Sequence, residues 1–246
     1  MSTTEIVGGI HAVRALIERS PDRVSRLHLA RNRDDPRILA LLELAQQAGV
    51  PVERPERQAF QQLGLVGAHQ GVAVEVQARE PGNEVELHWL LDGLGEAPLL
   101  LALDGVTDPR NLGACIRSAE AAGAHAVIQT HHRAAALNAA ARKAAAGAAE
   151  LLPLYRVTNL ARALTALRAR GCQVAGAAPD APKPIQEADL SVGVTLVLGA
   201  EDRGLRRLTR EACDQLVSIP QFGVTQSLNV SVAAAICLFE AARQRH

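Results

Sequence analysis

An alternation that begins at residue 98 constrains this chain more than anything else in it. Short, nearly continuous apolar runs stand at 98–104 (PLLLALD), 125–130 (HAVIQT), 151–157 (LLPLYRV), 172–178 (CQVAGAA), 194–199 (VTLVLG) and 215–220 (QLVSIP). Between them lie stretches of helical period at 111–122, 136–146, 158–170 and 205–213, and a last one follows at 229–243. A strand apolar at successive positions has both faces covered, and helical crossovers set successive strands parallel. The expected architecture is α/β, a mainly parallel sheet between layers of helices.

The first 77 residues alternate on a smaller scale. Helical patterns at 8–19, 36–48 and 56–63 are interleaved with strand patterns at 25–30, near 50–52 and at 71–76 (GVAVEV), which makes a small α/β unit. Residues 78–97 differ in composition, with Pro81, Gly82, Asn83, Gly93 and Gly95, and read as a linker with room for one short helix at 84–91. The expected division is 1–77, 78–97 and 98–246, and 246 residues suit one or two domains.

The formal charge sums to zero, which taken alone argues against a nucleic-acid binder. The sum hides an uneven distribution: nine basic and nine acidic residues in 1–77, one against five in 78–97, and 16 against 12 in 98–246. Five aromatic residues (Phe60, Trp89, Tyr155, Phe222 and Phe239) are too few for a module that stacks several unpaired bases. Any nucleic-acid contact would have to rest on phosphate and shape. No apolar run of 18 residues suggests a membrane span, and Met1–Ile10 lacks the pattern of a secretory signal. The four cysteines are scattered without a C-x-x-C pair, so neither a disulfide framework nor a zinc site is expected, and a reducing cytoplasm is. Signatures of dinucleotide binding, P-loops, serine hydrolases and zincins are missing.

In open parallel sheets ligands bind beyond the carboxyl ends of the strands. Three strand-end loops carry small and polar residues there: Asp104–Gly113, leading into a helix with Arg117; Gly199–Leu205; and Ile219–Val230. Asn111, close to a helix start, and Ser227 and Asn229, just before the last helix, all suit N-caps. Glu201 follows a strand where a helix dipole would favour an acid. Gly199 lacks a Cβ and so lets a ligand approach the backbone. The stripe Val232, Ala235, Ile236 and Phe239 on the last helix is either core or a dimer interface.

The stretches DPRNLGACIRSAEAAG, LVLGAEDRGLRRLT and IPQFGVTQSLNVSVAAAICLFE resemble, in content and order, the three motifs of the SpoU/TrmH-type branch of the SPOUT methyltransferases. IVGGIHAVRALIE at 6–18 and HQGVAVEV at 69–76 look like the small substrate-binding domain of one bacterial subgroup. That subgroup methylates a guanosine 2′-oxygen in the peptidyl-tRNA-binding loop of 23S rRNA. The resemblance implies a deep C-terminal trefoil knot that binds S-adenosyl-L-methionine, usually in a homodimer. Pattern reasoning alone would draw an un-knotted sheet.

The resemblance also implies roles. Asn111, Arg117, Glu201, Ser227 and Asn229 match its catalytic positions, and Gly199, Ile219 and Leu228 match backbone positions that hold the cofactor. Arg117 matches the arginine that activates the ribose hydroxyl. A guanidinium stays protonated, so it suits gripping a phosphate and stabilising an alkoxide better than taking a proton. Since Asn111 and Arg117 lie about 120° apart around a helix, they act from its end and its side respectively. No metal is called for, because the leaving group is a neutral thioether. The expectation is a cytoplasmic 23S rRNA methyltransferase that touches no membrane. A tRNA ribose methyltransferase and an inert RNA-binding or ribosome-assembly protein are the alternatives.

Overall fold

A computed structural model describes residues 3–31, 35–56, 58–65, 69–224 and 227–246. The chain forms two compact units, Met1–Arg79 with Ala146–Leu151, and Glu80–Ala145 with Leu152–His246.

The first unit runs β1 (Thr4–Gly8), α1 (Ile10–Arg19), β2 (Val24–Leu29), α2 (Pro36–Gln47), β3 (Val52–Glu53), α3 (Ala59–Gln62) and β4 (Val72–Gln77). Its sheet has the order β1-β4-β2-β3, antiparallel except for the β2–β3 pair. Strand β1 is not apparent in the sequence, because TEIVG mixes polar and apolar residues and runs directly into the helical pattern from residue 8. Helix α1 buries Ile10, Val13, Leu16 and Ile17, the one-sided period of an amphipathic helix, against Leu27, Val74 and Val76 of the sheet and Leu41 of α2. Asp35 caps α2, accepting from Arg37 N at 3.2 Å, with Pro36 at the first helical position.

The second unit continues α4 (Glu84–Gly93), β5 (Leu99–Asp104), α5 (Pro109–Ala121), β6 (Ala126–Thr130) and α6 (Ala139–Ala145). After α7 (Ala148–Leu151), which belongs to the first unit, come β7 (Leu154–Val157), α8 (Leu160–Ala169), β8 (Gln173–Ala177), β9 (Lys183–Pro184), β10 (Val194–Gly199), α9 (Arg207–Glu211), β11 (Gln215–Ser218) and α10 (Val230–Arg245). The seven strands have the order β7-β6-β5-β10-β8-β11-β9, and every pairing is parallel. All six residues of β5 are buried, as a near-continuous apolar run requires.

Residues 84–93 of the acidic stretch form a regular helix. Asn83 and Glu86 close a capping box at its start, and Leu87 packs with Leu100, Tyr155 and Leu164 in the second unit's core. The short α7 was hidden by the apolar run read as a strand from 151. Its Glu150 is buried and held by Arg23 Nη2 and Arg79 N, each at 2.6 Å. Helices α5 and α6 meet at Gly113, where a Cβ would come within 2.1 Å of Ala141 O.

Candidate functional site

The site lies at the carboxyl ends of the parallel strands. Asp104 ends β5 and Gly199 ends β10, and the two are partners in register. A cleft of about 380 Å³ opens beyond β8 and β10, lined by Leu198, Gly199, Glu201, Leu205, Ile219, Ser227 and Leu228 among others. Thr225 and Gln226 of the third motif lie outside the described residues.

Glu201 gathers three donors on one oxygen at the edge of this cleft. Its Oε1 accepts from Asn111 Nδ2 at 3.2 Å, from the Val230 amide at 3.1 Å, and from Asn229 Nδ2. Asn229 Nδ2 also donates to Asn111 Oδ1 at 3.0 Å. The opposite end of the Asn229 side chain caps α10, accepting from Ser231 N at 2.9 Å and Ser231 Oγ at 2.6 Å. The carboxylate thus faces the positive end of a 16-residue helix distant in sequence rather than that of the helix next to it.

Two candidate caps, Asn111 and Ser227, do not cap, and Gly199 has a different reason for its missing Cβ. Asp108 caps α5, accepting from Arg110 N at 2.8 Å with Pro109 following, so Asn111 lies inside the helix and its side chain is left to meet Glu201. Asn229 is the cap of α10, whereas Ser227 is exposed on the cleft wall. The missing Cβ of Gly199 is required by the chain itself. A Cβ there would fall 2.0 Å from the backbone carbon of Gly204, whose amide closes the turn by donating to the Ala200 carbonyl at 2.7 Å.

Arg117 is exposed on the side of α5 and does not line the cleft. Among the described residues it has no ion pair, so its guanidinium is available to an incoming anion. Arg206, Arg207 and Arg210, by contrast, are engaged by Asp104, Glu211 and Asp180. The Arg210 fork grips Asp180 at 3.0 and 2.8 Å on the cleft wall, and its hydrogen bonds hold the Asp180 carboxyl below the usual carboxylate range. His131 and His132 are exposed, while His69 stacks on Phe60 and accepts from Gly71 N at 3.1 Å, which gives it a role in turn structure.

Asp104 was not singled out from the sequence, yet it ties down both ends of the loop that carries Glu201. Its carbonyl accepts from Ala200 N at 3.1 Å, and its buried carboxylate accepts from Arg206 N at 2.8 Å. Arg206 Nη1 lies 3.3 Å from the second carboxylate oxygen. The available signal was an acid ending an otherwise apolar strand, since a buried carboxylate is tolerated only when paired. Below Asn111, burial pushes the Cys115 thiol up to about 12, with the Glu201 charge adding to the shift. Among the described residues no group of three His, Cys, Asp or Glu side chains could hold a metal ion.

Comparison with known proteins places this geometry in a family. Residues 98–239 match the model of the SpoU rRNA Methylase family, and residues 6–82 match that described as RNA 2′-O ribose methyltransferase substrate binding. The 23S rRNA (guanosine-2′-O-)-methyltransferase RlmB of Pseudomonas aeruginosa is 51% identical over 245 residues, covering 100% of this chain and 98% of the relative. RlmB of Escherichia coli is 47% identical, covering 98% and 99%. Among solved structures, the SpoU methyltransferase AviRb of Streptomyces viridochromogenes in complex with AdoMet aligns with a TM-score of 0.70 at 25% identity, covering 98% of this chain and 90% of that one. The AdoMet-bound rRNA methyltransferase of Sinorhizobium meliloti aligns with a TM-score of 0.68 at 26% identity, covering 98% and 87%. With both halves matched by the two models and about half of all residues shared with relatives of equal length, the chain belongs to the SpoU rRNA methylase family.

Proposed function

We propose that this protein transfers a methyl group from S-adenosyl-L-methionine to the ribose 2′-hydroxyl of a guanosine in 23S rRNA. The observation that carries the reading is the convergence of Asn111, Glu201 and Asn229, from three separate motifs, at the edge of an apolar cleft. Relatives of equal length named for this activity support it, as does the match of residues 6–82 to a substrate-binding model.

The cleft suits the cofactor in size and chemistry. Its volume, about 380 Å³, falls in the range of small-molecule sites. Leu198, Leu205, Ile219 and Leu228 offer apolar surface to an adenine, and the carboxylates of Glu201 and Asp180 suit a ligand bearing a sulfonium. When bound, the cofactor supplies an electrophilic methyl whose departure leaves a neutral thioether.

The chain's own residues then have distinct tasks. Arg117 grips the phosphate beside the target ribose and stabilises the oxygen as its proton leaves to phosphate or water. Asn111 and Asn229 hold Glu201, so the loop after β10 keeps one shape against the cleft. Ser227 presents its hydroxyl on the cleft wall, and Gly199, Ile219 and Leu228 offer backbone groups to the cofactor. Holding oxygen, carbon and sulfur in line supplies much of the rate.

Finer features belong to the same proposal. The target lies in the peptidyl-tRNA-binding loop, the enzyme works in the cytoplasm, and residues 1–77 bind RNA. The C-terminal segment forms the trefoil knot, a reading supported by the insertion of β10 between β5 and β8. A homodimer is supported by α10, where Val232, Ile236 and Phe239 are 47%, 36% and 52% exposed rather than in the core. Sedimentation measures that state directly.

The deciding experiment supplies labelled cofactor with 23S rRNA lacking the modification, and with tRNA in parallel, and maps 2′-O-methyl groups. Label on one rRNA guanosine is expected. Label on tRNA alone, or none on RNA from protein that binds the cofactor, overturns the assignment.

A further inference from the structure

A second cavity, of about 490 Å³, lies beyond the carboxyl ends of β6 and the edge strand β7 and has no part in the steps above. Its walls come from α4 and from the ends of β6 and β7, and include Glu84, Glu86, Trp89, His131, Arg156 and Thr158. His131 directly follows β6 and Thr158 directly follows β7, so both stand at carboxyl ends, as Asp104 and Gly199 do. Strand β7 is three places from β10, at whose end the cleft opens, roughly 15 Å at the usual strand spacing. An RNA strand crossing the carboxyl ends of the sheet from the cleft would pass this cavity a few nucleotides from the target.

Two side chains there lack the partners their chemistry calls for. Trp89 is 68% exposed, an unusual position for the largest aromatic side chain a protein has. Arg156 Nε is buried without a hydrogen-bond partner, and the guanidinium has no ion pair among the described residues. The neighbouring carboxylates do not answer it. Glu84 accepts from Arg162 Nη2 at 3.2 Å, and Glu86 accepts from Asn83 N at 2.7 Å to complete the cap of α4. Left over are one aromatic face, one free guanidinium and the exposed imidazole of His131.

We propose that this pocket binds a nucleotide of the RNA substrate flanking the methylated one, its base stacked on Trp89 and its phosphate held by Arg156 and His131. A nucleotide supplies an anion and a π face a few ångströms apart, which is the pair of groups the pocket lacks. Glu84 and Glu86 offset the positive charge, so stacking and a fixed donor carry the contact rather than a general attraction for polyanions. One ring is enough for one base, which is compatible with the scarcity of aromatics. The inference rests on RNA being the substrate, as proposed above.

Trp89 is the only tryptophan of the chain, so tryptophan emission, excited selectively over that of Tyr155, reads this pocket alone. The full-length protein is titrated with an unmodified 23S rRNA fragment while methyl transfer is followed in parallel. Expected results are quenching that saturates with RNA, and a rise of roughly tenfold in KM for RNA in Trp89→Ala and Arg156→Gln. Cofactor affinity and kcat stay unchanged in both, and Trp89→Phe, which keeps a stacking face, restores most of the loss. Methyl transfer with unaltered emission and unaltered KM in Trp89→Ala overturns the pocket and leaves the methyltransferase reading intact. Quenching by proteins of a ribosomal particle but not by naked RNA overturns it in favour of a protein contact. Absence of methyl transfer to any RNA overturns the underlying reading, and the pocket with it.

Discussion

Asn229 and Asn111, 118 residues apart in the chain, are joined by a 3.0 Å hydrogen bond from Nδ2 to Oδ1, and both donate to the same oxygen of Glu201. Neither amide could be turned without losing a partner. Asn229 is held at its other end by Ser231, and its Nδ2 is shared between the two acceptors. The first turn of α5, the loop after β10 and the start of α10 are thereby set relative to one another.

Such a cluster behaves as a unit. Glu201→Ala leaves three donors to water at an exposed site and lowers stability by only about 1 kcal/mol, while methyl transfer falls far more steeply. Asn111→Ala combined with Asn229→Ala costs clearly less than the sum of the two single changes. A double-mutant cycle on methyl transfer measures the coupling, and strict additivity would contradict the arrangement.

Arg117 offers a separation of effects. It stands outside the cleft wall, so Arg117→Ala leaves cofactor affinity nearly unchanged by calorimetry. Removal of a cation aimed at developing charge lowers kcat by roughly 100-fold or more. An active variant would exclude the assigned role, and a matching loss of cofactor binding would place Arg117 in the wrong site.

Asp104 is predicted to act through the loop it clamps. Asp104→Asn keeps the shape but weakens the hold on Arg206, and stability falls by about 1–3 kcal/mol in chemical denaturation. Ala200, Gly204 and Leu205 line the cleft, so cofactor affinity falls by about tenfold, equivalent to about 1.4 kcal/mol. Arg206→Lys keeps the positive charge beside Asp104 and the backbone contact, and is expected to cost less than Asp104→Asn.

The thiols should be slow to react in the folded protein. Burial pushes Cys115 and Cys237 up to about 12, lifts Cys213 to about 11, and raises Cys172 as well. Only the thiolate attacks, so at pH 8 roughly one Cys213 in a thousand is reactive. Raising the pH increases that fraction, and Cys213, the half-buried one, labels first. A disulfide reagent followed by absorbance should find four thiols after unfolding and almost none before. Fast labelling at pH 8 would refute the burial.

Much of the architecture could be read before any coordinates. Apolar runs such as LLLAL and VTLVL call for strands covered on both faces, and the helical stretches between them make a parallel sheet the natural arrangement. The three motifs could be located at the strand ends for the same reason. Some short elements escaped: β1 mixes polar Thr4 and Glu5 with the start of a helical pattern, α7 runs into the apolar stretch 151–157, and β9 is two residues long.

Local pattern determined what the residues could be, and tertiary structure decided what they do. Asn111 looked like a cap from its neighbours, but Asp108 holds that post and releases the amide toward Glu201. Gly199 looked like a concession to a ligand, but the chain's own turn at Gly204 fills the space. Glu201 found its helix start at Val230, 29 residues away, rather than in the next element. Asp104 and the pocket beside Trp89 were invisible because their meaning lies in which strands are neighbours. Strand order brings β10 against β5 and leaves β7 at the sheet's edge, and long-range pairing of that kind has no counterpart in local sequence.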